Sequence, residues 1–137
     1  MKKNLYLPIF CLFTLFLGMA AGCGGKNPYK IVPVRGTATY QGKPLPADFM
    51  LEFKPAEGRA SMGKIQGEAG SFEAIYSPSK KGVQVGEQTV RILWGKNPET
   101  DPVPEEYVEM MTKYGMESPG KKIEIKKKDL NLTLEFD

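Results

Sequence analysis

The chain contains no histidine. That absence removes Ser-His-Asp and Cys-His catalysis and every imidazole-ligated metal site. Cysteine is nearly absent too: Cys11 and Cys23 are the only two, and Cys11 lies inside an apolar run. Neither sign of charge dominates, since 19 Lys and Arg oppose 16 Asp and Glu for a formal charge of +3. Nucleic-acid-binding domains usually carry a strong basic excess, so that partner class is not expected. The longest apolar run, 5–17, is interrupted by Pro8 and Thr14. It falls short of the roughly 20 residues that cross hydrocarbon as a helix. No internal repeat and no block of low complexity occurs.

What is present begins with the N-terminal order of residues. Lys2 and Lys3 precede the apolar run, and the small residues Ala20, Ala21 and Gly22 stand directly before Cys23. A signal peptidase requires small side chains there, because its pocket must admit an extended backbone. An uncleaved anchor and a plain secretory signal are the alternatives. The short run and Pro8 weigh against the first, and the cysteine at the cut weighs against the second. The sequence Ala20-Ala21-Gly22-Cys23 resembles the lipobox of bacterial lipoproteins. That resemblance implies that 1–22 is a signal-peptide helix that is removed, and that Cys23 receives a diacylglycerol and becomes the mature N-terminus. Cys23 would then be the only mature cysteine, so no intramolecular disulfide could form. A lone exported thiol is a liability unless it is consumed, and acylation consumes it. The expected location is the cell envelope, periplasmic or surface-facing, with the membrane as partner through the N-terminal lipid.

Removing 1–22 from the 137 residues leaves 115, enough for one core, and removing Lys2 and Lys3 takes the formal charge to +1. Residues 23–30 read as the acylated terminus and a short tether, and 31–137 as one domain. From Ile31 the hydrophobic period is two, with Val32, Val34, Gly36, Ala38 and Tyr40 on one face. Pro33 marks a strand start or an edge. The same alternation recurs at Phe49, Leu51 and Phe53, at Phe72 and Ala74, and at Val90, Ile92 and Trp94. A weaker strand is expected over 61–66. The last two strands, holding Ile123 and Ile125, then Leu130, Leu132, Leu134 and Phe136, are expected to pair across a Lys126-Lys127-Lys128-Asp129 turn. The expected fold is all-β: an antiparallel two-sheet β-sandwich of about seven strands, immunoglobulin-like in outline. One helix interrupts it near 104–114, where Tyr107, Met110, Met111 and Tyr114 fall at i, i+3, i+4 and i+7. Pro104 suits its first position, Glu105 and Glu106 its positive end, and Gly115 its stop. Tyr107 and Met111 are expected to dock it loosely across one end of the sandwich.

The stretch Val32-Pro33-Val34-Arg35-Gly36-Thr37-Ala38-Thr39-Tyr40-Gln41-Gly42-Lys43-Pro44-Leu45-Pro46, with Phe53-Lys54-Pro55-Ala56, Gly70-Ser71-Phe72, Gly86-Glu87-Gln88-Thr89-Val90-Arg91-Ile92, and Lys113-Tyr114 ahead of the last two strands, resembles the small lipoproteins of planctomycete-type bacteria. Those carry a transthyretin-like, also called carboxypeptidase-regulatory-like, domain. The resemblance covers nearly all of 31–136 and implies a fold and a location, with little about activity. Two features depart from that family. The turn Gly67-Glu68-Ala69-Gly70 lacks its usual aspartates, and the helix-like stretch from Glu99 to Thr112, within the 95–119 segment, is longer than its usual linker.

Chemistry is otherwise sparse. Lysine catalysis needs a desolvated amine, and the lysines cluster in polar turns. Those turns read as solubilising edge protection, with contact to anionic wall polymer or lipid headgroups as the sharper alternative. Glu99, Asp101, Glu105 and Glu106 are close in sequence, as a glycosidase pair would be, but acids beside prolines read as a solvated loop and a helix start. EF-hand spacing is missing, so neither a metal nor another cofactor is expected. The expected function is a non-enzymatic interaction or structural module, with an unidentified envelope protein as partner. The alternative is an envelope polysaccharide-binding module using Trp94, Tyr107 and Tyr114, although the register of Trp94 favours core packing.

Overall fold

The computed structural model describes residues 27–137. The signal segment, the Ala20-Ala21-Gly22 triplet and Cys23 lie outside the described residues. In chain order the elements are β1 (Ile31–Val32), β2 (Val34–Tyr40), β3 (Lys43–Pro44), β4 (Phe49–Pro55), β5 (Ser61–Gln66), β6 (Ser71–Ser77), β7 (Lys80–Lys81), β8 (Val83–Gln84) and β9 (Gly86–Trp94). A 3₁₀ turn (Glu105–Tyr107) then runs into α1 (Val108–Tyr114), followed by β10 (Lys121–Ile125) and β11 (Asp129–Phe136). Pro33, which has no N–H to donate, separates β1 from β2.

Seven strands follow the hydrogen-bonded order β10-β9-β4-β5-β6-β2-β11, with β3 beside β2 and β7 beside β6. β1 and β8 form a separate two-stranded ladder. The result is an all-β, mainly antiparallel sandwich whose two layers are halves of one continuous path. Alternation builds its core: Phe49, Leu51 and Phe53 of β4, Val90 and Ile92 of β9, and Phe136 of β11 are all 0% exposed. Each such side chain contributes about 1.5–3 kcal/mol by leaving water.

The expected terminal hairpin does not form. β10 pairs antiparallel with β9, whereas β11 pairs with β2 and runs parallel to it. The two strands therefore become opposite edges of the path. The three lysines between them carry the chain from one edge of the path to the other. The β2–β11 ladder shifts register between Asp129 and Leu132. Gly36 makes this close approach feasible, because a Cβ there would sit 1.8 Å from the Leu132 carbonyl oxygen. Leu132, expected in the core, is consequently only half-buried.

The two ends of the sandwich are distinct. At the entry end, the Val85 N–H donates to the Lys30 carbonyl (2.9 Å) and the Asp129 N–H to the Pro33 carbonyl (3.0 Å). The Gln84 side-chain amide donates to the Glu57 carbonyl there as well (2.9 Å). At the opposite end, the Tyr107 ring lies 5.0 Å from Phe49 and 6.1 Å from Tyr40, and Tyr114 lies 4.9 Å from Phe136. α1 thus closes the end farthest from where the chain enters. Its fully buried anchor is Met110, at 0% exposure, while Tyr107 and Met111 pack beside it half-buried. The helix stops at Gly115, whose N–H donates to the Met111 carbonyl (2.8 Å).

Candidate functional site

The three aromatics of the alternative, sugar-binding reading are each engaged by the fold. Trp94 stacks obliquely on Phe49 at 4.9 Å, and its indole N–H donates to the Asp101 carbonyl at 2.7 Å. The Lys96 ammonium stands 5.5 Å from the centre of its ring, held by Asp48 (3.2 Å) and Asp101 (3.0 Å). Tyr107 presents its edge to Phe49. Tyr114 does the same to Phe136 and donates its hydroxyl to the Asp137 carbonyl at 3.3 Å. Trp94 and Tyr107 meet through Phe49, but Tyr114 sits on a different core residue. The three rings do not form one continuous exposed surface.

An open hollow of about 510 Å³ lies at Pro104, Glu105 and Glu106, and further concave surface gathers around Leu130. A groove of about 450 Å³ runs between Arg35, Ser71 and Asn131. It adjoins a cleft of about 290 Å³ bounded by Arg35, Glu73, Lys81 and Lys128. A third hollow of about 530 Å³ follows 124–132. Leu130 borders these last three. The parallel β2–β11 pairing and its register shift open this region, and the sequence alone did not reveal it. Its one legible trace is Gly36, a gap in an otherwise regular alternation.

Of the charges here, Glu73 and Lys81 form an ion pair. Glu73 binds the Lys81 ammonium, and that hydrogen bond, aided by Arg35, holds its carboxyl below the usual range. Hydrogen bonds to Asp101 and Asp48 raise Lys96, and one to Glu109 raises Lys113. Burial, then the neighbouring Glu106, raises the Tyr107 phenol. Every one of these shifts reinforces the charge state already held at neutral pH. None creates a proton donor or acceptor poised near neutrality, as general acid–base chemistry requires.

Of the four acids read as a loop and helix start, Asp101 pairs with Lys96, and Glu105 and Glu106 open the 3₁₀ turn. Among the described residues, no three carboxylate or thiol groups are placed to hold a metal ion. One buried polar cluster stands near the entry end. Gln88 is 0% exposed and its amide donates to the Gln84 carbonyl at 2.7 Å. The side-chain oxygens of Gln88, Gln84 and Ser61 accept no hydrogen bond there. Such oxygens are ordinarily satisfied by internal water.

No helix among the described residues is long and apolar enough to cross a membrane. The chain matches no family model, no curated protein and no solved structure.

Proposed function

We propose that this protein is a lipid-anchored module of the cell envelope, with a non-enzymatic interaction or structural role and a β-sandwich of the transthyretin-like kind. The observation that carries this reading is the order at 20–23: three small residues and then Cys23, preceded by a basic start and an apolar run. The fold supports it in one respect. The β-structure begins at Ile31 and uses no thiol, so lipidation at Cys23 asks nothing of the core. One fatty chain holds a protein only marginally, at about 0.8 kcal/mol per buried methylene, whereas the two or three chains of a lipoprotein cysteine hold it durably.

The test is expression of wild type and Cys23→Ser with a labelled fatty acid, followed by fractionation. Wild type should carry label and stay with membranes in high salt. Cys23→Ser should lose the label and its processing at this site, yet unfold at the same denaturant midpoint. Wild type without label would overturn the reading and leave a plain exported domain.

A further inference from the structure

The two ends of the domain carry opposite charge, and the acylation site is tied to one of them. Four surface segments meet at the entry end: 27–30, 56–60, 78–82 and 126–128. They hold seven cations, Lys30, Arg59, Lys80, Lys81, Lys126, Lys127 and Lys128, against one carboxylate, Glu57. All seven are exposed. Glu73 engages Lys81, and Glu124 lies 3.9 Å from Lys126. The other five form no ion pair among the described residues. Of the remaining acids nearby, Glu87 pairs with Lys122 at 3.6 Å, and Asp129 accepts from the Asn131 N–H at 2.9 Å. At the helix end, 95–114 holds five acids against two lysines, Lys96 and Lys113, both already paired.

The tether fixes which end meets the membrane. Cys23 precedes Asn27 by four residues, which reach at most about 14 Å when fully extended. Tyr29 is seated against the 56–60 turn, where a side chain at Gly58 would come within 3.0 Å of its ring. We propose that the entry end rests on an anionic phospholipid surface, its exposed lysines and Arg59 against the headgroups, with the acidic helix end held away from the bilayer. This inference depends on the lipid-anchored reading above. The attraction of basic segments to an anionic leaflet fades within a Debye length, about 8–10 Å. A tether this short lets the cations settle within that range, and any tilt that carried the acids of the far end into it would be opposed by repulsion. Two effects then orient the domain in the same sense: a short leash at one pole and a charge gradient along the body. The surface offered outward, to any partner, is the 95–114 segment.

The experiment uses the full lipidated chain in vesicles of phosphatidylcholine with and without phosphatidylglycerol. With Cys23 acylated, a cysteine introduced by Ser79→Cys or by Glu105→Cys carries the only fluorophore, and the quencher is attached to lipid headgroups. In phosphatidylglycerol vesicles the label at position 79 should be quenched several-fold more than the label at 105. High salt, or reversal of charge by Lys126→Glu, Lys127→Glu and Lys128→Glu together, should bring the two toward equality. Equal quenching in protein that floats with the vesicles would overturn the orientation and leave the anchor standing. Protein that does not float would overturn both. A difference equally large in vesicles of phosphatidylcholine alone would show that the tether orients the domain unaided and would overturn the assignment of the basic end to anionic lipid.

Discussion

Gly36 shows how one missing side chain shapes the molecule. It stands midway along β2, where the alternation from Val34 to Tyr40 leads one to expect another inward residue. Its backbone is in an ordinary strand conformation, so the requirement is space: the Leu132 carbonyl occupies the position of a Cβ. Gly36→Ala must push β11 off β2, at a cost of about 1–3 kcal/mol or more, which urea unfolding would measure. Amide exchange should accelerate along β11 in particular. Gly42→Ala provides the contrast, because Gly42 has φ of 76° and a Cβ added there would meet nothing within 4 Å. Its cost, about 1–2 kcal/mol, comes from backbone strain alone and should leave β11 exchange unchanged relative to the global stability. Unaltered β11 exchange in Gly36→Ala would show that the ladder tolerates the methyl. The sequence displayed this glycine but could not display its partner, because a contact 96 positions away leaves no local period.

The elements themselves were largely legible, since each strand with one buried face carries a period of two. β4, with Phe49, Leu51 and Phe53 buried, and β9, with Val90 and Ile92 buried, match that pattern residue for residue. The helix was legible from its spacing, although its seating was not. Spacing places Met110 and Met111 equally on the inner face, and only the approach to the sheet selects Met110. Met110→Ala should therefore cost about 2–5 kcal/mol, well above Met111→Ala, in thermal or denaturant unfolding. Equal costs would mean that α1 is docked through its half-buried residues instead. The same logic orders β11: Leu134→Ala should cost more than Leu132→Ala, because Leu134 is 1% exposed and Leu132 only half-buried. Between β9 and the helix, the 95–104 segment depends on Lys96 and the indole of Trp94. Lys96→Met removes both carboxylate contacts and should speed exchange across that segment while core amides stay protected. The Lys96 ammonium is raised by its pairing, so its contribution is complete at neutral pH and fades as pH climbs beyond the ordinary lysine range. Local exchange there, corrected for its intrinsic pH dependence, should show the segment loosening only under strongly alkaline conditions.

At the scale of the whole molecule, the order of strands decides what is exposed, and that order was the least legible feature. A lysine-rich turn between two apolar alternations reads as a hairpin, yet β10 and β11 end up as the two free edges of the path. The Leu130 grooves follow from that arrangement and so were hidden with it. Free edges present unpaired backbone groups that can recruit another chain, and charged side chains are a common guard. Lys121 fills this role across the seam. It projects from β10, donates to the Glu135 carbonyl of β11 at 2.8 Å, and lies 5.9 Å from the centre of the Phe136 ring. Its methylene stem covers apolar surface while its ammonium satisfies an edge carbonyl. Lys121→Leu removes the donor, leaving that carbonyl without its partner beside an apolar side chain. The variant should fold with wild-type secondary structure but sediment as a larger species than wild type at equal concentration, increasingly so as the concentration rises. Lys121→Arg retains a donor of similar reach and should restore wild-type sedimentation. If Lys121→Leu sediments as wild type does, the seam is guarded by strand twist and by the neighbouring Lys122 instead of by the Lys121 ammonium.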